Sequence, residues 1–139
     1  METIPHVLIL ALASQMACQT WKAVASSIRQ RRVDFAPLFS FGGFPSGHAA
    51  FTSAVTVGSG LHAGFDSAVF AVSLVFTIII LHDAVRVRSA LQHLGESYNA
   101  DRADRDLPAL PVLHGHTVGE IIAGIAVGSL VAALGGLVL

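Results

Sequence analysis

Long runs of apolar residues with few polar interruptions are the dominant pattern along the chain. Four of them approach the roughly 20 residues that a helix needs to cross a bilayer: about 4–21, 49–65, 67–85 and 118–139. A helix formed by each run would be apolar on all sides instead of along one stripe. This favours membrane spans over the alternative, a soluble helical bundle. The pattern therefore predicts an all-α integral membrane protein, residues 1–139, with about four transmembrane helices in a single domain.

The polar regions predict how these spans are connected. The turn Gly64–Ser67 is short, so the second and third spans should form an antiparallel hairpin. After the third span, Leu91, Leu94 and Tyr98 recur at helical spacing, which indicates an amphipathic helix at the membrane interface. The mixed-charge stretch 101–106 predicts a solvated turn without a specific role.

Composition narrows the class of protein further. Charged residues make up 12% of the 139 residues, against roughly a quarter in soluble domains. A net charge of −1 gives no indication of nucleic-acid binding, and a lone Cys18 excludes a disulfide framework. Because no basic region precedes the first apolar run, we do not expect a removable signal peptide.

The eight cations are confined to two loops, about 22–47 and 86–116. In a chain with four spans these loops lie on the same side of the membrane. The positive-inside rule makes that side cytoplasmic and places both termini outside.

A glycine-rich loop, Gly42–Gly47, leads into the second span. Ser46 or Gly47 is a natural N-cap, and free amides at a helix N-terminus attract anions. His48, in the first turn, could donate a proton to a bound anion. The alternative interpretation is a loop that merely starts a helix.

A second candidate site opens the fourth span. His116 and Glu120 are four residues apart, hence on one helical face, where the carboxylate can orient the imidazole. The alternative is a polar pair that anchors the helix end. His114 and His116 alone do not complete a metal site, so we expect neither a metal nor a cofactor.

Topology places these groups at one membrane edge, together with cations and Asp83 at the end of the third span. Two histidines, an amide-rich loop and several cations at one depth predict a phosphate-transfer site. One histidine would attack phosphorus and the other would protonate the leaving oxygen.

The motifs also resemble those of a known family. Pro45-Ser46-Gly47-His48 matches the central motif of the type 2 phosphatidic acid phosphatase superfamily, which includes vanadium-dependent haloperoxidases. Lys22 and Arg29 match the spacing of its first motif. His116 and Glu120 resemble the end of its third motif, with Glu in place of Asp. The order of the motifs is similar to that in the divergent branch of bacteria and plastids.

This resemblance implies a helical bundle in a bacterial plasma membrane and a role for each motif residue. His116 would be the nucleophile that forms a phosphohistidine, Glu120 its orienting partner and His48 the acid. The phosphate would be bound by Lys22, Arg29, Ser46 and Gly47.

The chain departs from the family pattern at two positions. Gln30 stands where the first motif has proline, and Leu110 stands where the third has arginine. We expect Arg88 or Arg86, supported by Asp83, to replace that arginine.

Together these features predict a membrane phosphatase acting on a lipid or isoprenoid phosphate. The alternatives are a non-catalytic binder of anionic lipid head groups and a transporter or scaffold subunit. Besides the substrate and membrane lipids, the expected partner is a second copy of the chain. Small residues suited to close helix packing recur every fourth position in the last span, and Gly58 and Gly60 could form a matching surface: Gly124, Gly128, Ala132 and Gly136.

Overall fold

A computed structural model describes residues 6–38, 42–112 and 114–136. This part of the chain contains helices and no strand, which confirms the predicted all-α class. The predicted span ends at residues 4–5 and 137–139 lie outside the described residues. A short 3-10 turn follows the first helix, and a π-helical segment, Asp83–Val87, joins the third to the fourth. The helices are α1 (His6–Gln30), α2 (Gly47–Ala63), α3 (Ala68–His82), α4 (Arg88–Ala103) and α5 (Val118–Gly135).

Three helical stretches have the length and apolar composition of membrane spans: α1, α5 and the continuous helix Ala68–Ala103. Helix α2 is shorter, with 17 residues, and lies in the centre, packed against α1, α3 and α5. Its sequence is rich in Ala, Gly, Ser and Thr, whose small side chains let three neighbours approach. The helix count is therefore close to the predicted four, with α2 as the buried member.

Glycines in α5 bring that helix into backbone contact with α2. A Cβ at Gly128 would collide with the carbonyl oxygen of Ala50 and lie 2.8 Å from its carbonyl carbon. A Cβ at Gly124 would collide with the carbonyl oxygen of Ser46. Since Gly124, Gly128 and Ala132 are all buried, these members of the small-residue stripe form a seam inside one protomer. An oligomer, which stays a prediction, would have to use other surfaces.

The prediction that Gly58 and Gly60 of α2 match the small residues of α5 is wrong. Gly58 faces Val7 of α1, whose Cγ1 lies 3.2 Å from the position of an added Cβ, and Gly60 faces the ring of Phe65. Helix α5 packs instead against another face of α2, where Gly124 and Gly128 meet Ser46 and Ala50 and Ala132 packs with Ala54.

Threonines join α2 to α3 in the apolar interior. The hydroxyls of Thr56 and Thr77 lie 2.8 Å apart, and Thr77 also donates to the carbonyl oxygen of Thr52 at 3.1 Å. Thr77 is the buried residue of α3, whereas apolar side chains such as Phe76 and Ile79 are exposed. This exposure is what a helix that faces lipid requires.

The end of α1 is joined to the following turn by Asp34. Its carboxylate accepts hydrogen bonds from the Ser26 hydroxyl at 2.6 Å and the Gln30 amide at 2.8 Å. These bonds, with one from the backbone N–H of Ala36, hold the pKa of Asp34 below its usual range, the Ser26 contact contributing most. Gln30, which departs from the family motif, thus has a structural role in ending α1.

The segment after α4 runs back along that helix. Asn99 exchanges two hydrogen bonds with the backbone of Leu110, at 2.9 and 2.8 Å. Arg102 lies over the ring of Tyr98 and donates to the carbonyl oxygen of Pro108 at 2.8 Å. The prediction of a turn without a specific role is therefore wrong for Arg102, because α4 extends to Ala103 and carries this side chain to the returning chain.

The seam between α2 and α5 makes a testable prediction. Gly128→Ala should force the helices apart and lower the free energy of unfolding by about 1–3 kcal/mol, the usual cost of overpacking. Gly119→Ala is the matched control, because a Cβ there meets nothing within 4 Å. Thermal unfolding in detergent measures both. Equal stability of the two variants would contradict the close approach.

Candidate active site

The glycine-rich loop folds over the side chain of Lys22. Gly42 and Gly43 have φ values of +95° and +82°, a left-handed conformation that glycine adopts without steric cost. The Lys22 ammonium donates to the carbonyl oxygen of Gly42 at 3.0 Å, and its Cδ lies 3.6 Å from the Cβ position of Gly43. Lys22 is only 9% exposed. Lys22 of the first motif thus contacts the loop that leads into the central motif, Pro45–His48.

Ser46 caps α2, which confirms the predicted helix start. Its hydroxyl accepts a hydrogen bond from the backbone N–H of Ala49 at 3.3 Å. Its own N–H donates to the carbonyl oxygen of Glu120 at 3.0 Å, which fastens the loop to the first turn of α5. Ser46 and Gly47 are both buried, so their role as phosphate ligands stays a prediction.

The His116–Glu120 pair has the geometry of an oriented imidazole. His116 Nδ1 lies 2.9 Å from Glu120 Oε2, and the same oxygen accepts a hydrogen bond from the backbone N–H of Thr117 at 3.1 Å. Glu120 and Thr117 form a capping box, so the carboxylate is held in place by the start of α5. Because an ionised carboxylate only accepts hydrogen bonds, Nδ1 carries the ring proton, which leaves the Nε2 lone pair available.

The π-helical segment positions the chain that carries His116. The backbone N–H of His116 donates to the carbonyl oxygen of Ala84 at 3.1 Å, and that of Gly115 donates to Gln92 Oε1 at 3.0 Å. A π-turn disturbs the regular pairing of helical carbonyls and is frequent at functional sites. Only glycine fits at 115, because a Cβ would lie 2.8 Å from the backbone nitrogen of Ser89.

The two predicted catalytic histidines meet at this end of the bundle. The ring centroids of His48 and His116 lie 6.4 Å apart, with the planes at 63°. The charges of Arg88 and Lys22 both act on His48, and Lys22 also interacts with Glu120. His48 is partly exposed, whereas His116 is only 4% exposed.

Arg88, the first residue of α4, is the arginine whose charge acts on His48. Its Nε lies 3.2 Å from the Asp83 carboxylate, and both side chains are partly exposed. Arg86, one position before Val87, is exposed and has no hydrogen bond or ion pair within the described part of the chain.

Two positions of the family motifs, 29 and 110, lie away from Lys22 and the two histidines. Arg29 is exposed in the last turn of α1, about 10 Å beyond Lys22 along the helix axis, and pairs with none of the residues that the structure describes. Leu110 is tied to Asn99, which lies about 16 Å from Arg88 along α4. A side chain at 110 therefore starts far from the histidines.

Sequence reasoning missed the role of two glutamines in α1. Gln15 and Gln19 lie on the same face as Lys22, and a Cβ added at Gly47 would lie 3.7 Å from Gln15 Cγ and 3.9 Å from Gln19 Oε1. Gln19 donates to the carbonyl oxygen of Leu38 at 3.2 Å, while its buried Oε1 has no hydrogen-bond partner among the described residues. The sequence signal for this role is the spacing of three polar residues, Gln15, Gln19 and Lys22, at i, i+4 and i+7 in an apolar run.

No cluster of three or more potential metal ligands from His, Cys, Asp and Glu occurs within residues 6–38, 42–112 and 114–136. We call the end of the bundle where Lys22, His48 and His116 meet the site end. The groups there can donate protons and bind an anion.

Comparison with known protein families identifies the family of this chain. A family model described as "Divergent PAP2 family" matches residues 4–131. The chain belongs to the divergent PAP2 family. The match confirms the resemblance to a divergent branch of that superfamily.

A relative of this divergent PAP2 protein is the uncharacterized membrane protein YuiD of Bacillus subtilis (strain 168), which is 38% identical over 89 residues. The aligned part covers 64% of the chain and 54% of the relative, so the chain spans about half of that protein's length. No solved structure matches the chain. The comparisons and the three apolar helices identify a membrane protein of the PAP2 superfamily.

The hydrogen bond between His116 and Glu120 makes a prediction about the ring proton. In protein labelled with 15N-histidine, the His116 ring should be protonated at Nδ1, and Glu120→Ala should remove this preference. Thr117→Ala is the control: it removes the cap, at a cost of about 1 kcal/mol, but keeps the carboxylate. NMR of the ring nitrogens in detergent measures both variants. Protonation at Nε2 in the unaltered protein would contradict the proposed orientation.

Proposed function

We propose that this chain is a membrane phosphatase that hydrolyses a lipid or isoprenoid phosphate through a phosphohistidine at His116. The observation that carries the proposal is the meeting of two imidazoles from distant parts of the chain, one of them oriented by a carboxylate. Reacting atoms approach to about 3–3.5 Å before a bond forms. With their centroids 6.4 Å apart, the two rings are close enough for a nitrogen of each to reach one phosphoryl group bound beside them.

In the first step, the Nε2 lone pair of His116 attacks phosphorus. An N–P bond forms as the P–O bond to the lipid breaks, and protonated His48 gives its proton to the departing oxygen. Glu120 stabilises the positive charge that develops on the His116 ring, because its oxygen already accepts the Nδ1 hydrogen bond.

In the second step, a water molecule attacks the phosphohistidine. Neutral His48 takes a proton from this water, the N–P bond breaks and inorganic phosphate leaves. His116 regains its Nε2 lone pair and His48 its proton, so both rings return to the starting state.

Positive charge around the rings supports a phosphoryl group in transfer. Lys22 is held against the loop by the Gly42 carbonyl, and Arg88 is held by Asp83 through its Nε. A guanidinium has five N–H donors, so Arg88 keeps donors for phosphate oxygens. We propose that Arg88 replaces the family arginine for which position 110 carries leucine.

A second candidate is a protein that binds anionic lipid head groups without turnover. The observation that favours it is the 4% exposure of His116, because a buried nucleophile cannot reach phosphorus unless the site opens. Both candidates place a head group at the same cations.

Turnover separates the two candidates. Purified protein in detergent should release phosphate from long-chain phosphatidic acid or polyprenyl phosphate, and vanadate should inhibit it. His116→Ala should abolish release, and His48→Ala should lower kcat by about 10²–10⁴-fold, the usual contribution of an acid–base group. His93→Ala is the control, because that side chain is 81% exposed on α4.

Two arginines provide a matched pair for the same assay. Arg88→Ala should lower kcat/KM strongly, whereas Arg86→Ala, two positions away in the chain, should not. Binding of phosphatidic acid with no turnover of either lipid would contradict the phosphatase and favour the binder.

The segregation of cations supports a site at the cytoplasmic face, with both termini outside. A cysteine introduced by Ser97→Cys on α4 should then react with a membrane-impermeant maleimide only from the cytoplasmic side. Asp66→Cys, in the turn between α2 and α3, should react only from the outside. Both residues are exposed, and the native Cys18 is buried. The reverse labelling pattern would overturn this orientation.

A further inference from the structure

A groove lies on the flank of the bundle between α1 and α5, next to the site. Its volume is about 420 Å³, within the range of small-molecule pockets. Helix α1 contributes Cys18 and Trp21, the loop contributes Phe44 and Pro45, and α5 contributes residues that include Ala123 and Val127. All of these side chains are apolar or weakly polar, so the groove offers no partner for a charged ligand.

The groove continues the helix faces that carry the site. Cys18 lies four residues before Lys22 on α1, and Val127 lies seven residues after Glu120 on α5. Residues at these spacings share one helical face, so the groove extends from the site end toward the membrane interior by about 10 Å. At the end of the groove nearest the site, Pro45 directly precedes the Ser46-Gly47-His48 sequence.

We propose that this groove binds the hydrocarbon chain of the lipid phosphate whose head group occupies the site. The inference rests on the proposed function and adds where the chain of the substrate lies. Cations and imidazoles are at one end and apolar side chains at the other, which is the arrangement of polar and apolar parts in a lipid phosphate. Trp21 and Phe44 are 58% and 59% exposed, so the groove is open to lipid along its length.

The size of the groove favours a single chain over a protein partner. A transmembrane helix is about 10 Å across with its side chains and would rest on the rim of such a groove instead of filling it. Small side chains on both walls, Cys18 and Ala123 among them, keep the space open.

Trp21 provides a direct readout, because it is the only tryptophan in the chain. In mixed micelles, phosphatidic acid with brominated acyl chains should quench Trp21 fluorescence at a several-fold lower mole fraction than brominated phosphatidylcholine. Unlabelled polyprenyl phosphate should relieve the quenching if the groove takes isoprenoid chains, and dioleoyl phosphatidic acid should relieve it if the groove takes acyl chains. Equal quenching by the two brominated lipids would mean contact with bulk lipid only and would overturn the proposal.

A substitution that fills the groove tests the position of the chain. Ala126 also lines the groove, and Ala126→Phe should abolish the preference for phosphatidic acid. It should also raise KM for long-chain phosphatidic acid at least about tenfold, as expected when a pocket loses several methylene contacts, while turnover of the dihexanoyl form stays unchanged. Ala133→Phe is the control, because Ala133 is exposed on the same face of α5, seven residues further along.

The two readouts distinguish failure of the groove from failure of the phosphatase. Selective quenching without phosphate release would support the groove and contradict the catalytic proposal. Phosphate release with equal sensitivity to Ala126→Phe and Ala133→Phe would support the phosphatase and overturn the groove.

Discussion

The close approach of α2 and α5 is the constraint on which the site depends. Glycines at 124 and 128 let the backbones touch, and this contact brings the N-terminus of α2 to the N-terminus of α5. The hydrogen bond from the Ser46 N–H to the Glu120 carbonyl is a direct result. His48 follows Ser46 by two residues and His116 precedes Glu120 by four. The two histidines are therefore brought together by packing of small residues within the bundle.

Polar contacts hold the charged side chains at the site end of the bundle in place. Three charged groups there are held by neighbours: Lys22 by the Gly42 carbonyl, Glu120 by Thr117 and His116, and Arg88 by Asp83. Ionisable groups near an apolar layer are costly unless they are paired. These pairs lower that cost and also orient the groups, so the same contacts stabilise the helix ends and set the direction of the side chains.

Patterns confined to one segment were predicted well, because they depend on local geometry. The cap at Ser46 follows from turn chemistry alone. The pairing of His116 with Glu120 was predicted as well, but from the wrong geometry: His116 precedes the N-cap Thr117, and the Glu120 carboxylate reaches back to it from the capping box. The order of the spans also predicted that His48 and His116 meet at one end of the bundle. Other features that depend on distant packing were not predicted. The π-turn at 83–87, the partner of Gly58 and the contacts of Arg102 arise from where other helices lie, which local spacing does not encode. Arg29 matches a motif by spacing, yet two further turns of α1 carry it past the histidines.

The unbroken helix Ala68–Ala103 has a mechanical consequence. Its 36 residues correspond to about 54 Å if the axis is straight, well beyond the 30 Å of a hydrocarbon core. This helix must tilt or project into water. The segment that returns along α4, its C-terminal half, leads to His116. The height of the imidazoles relative to the lipid phosphates is therefore coupled to the tilt of one helix, and through that tilt to bilayer thickness.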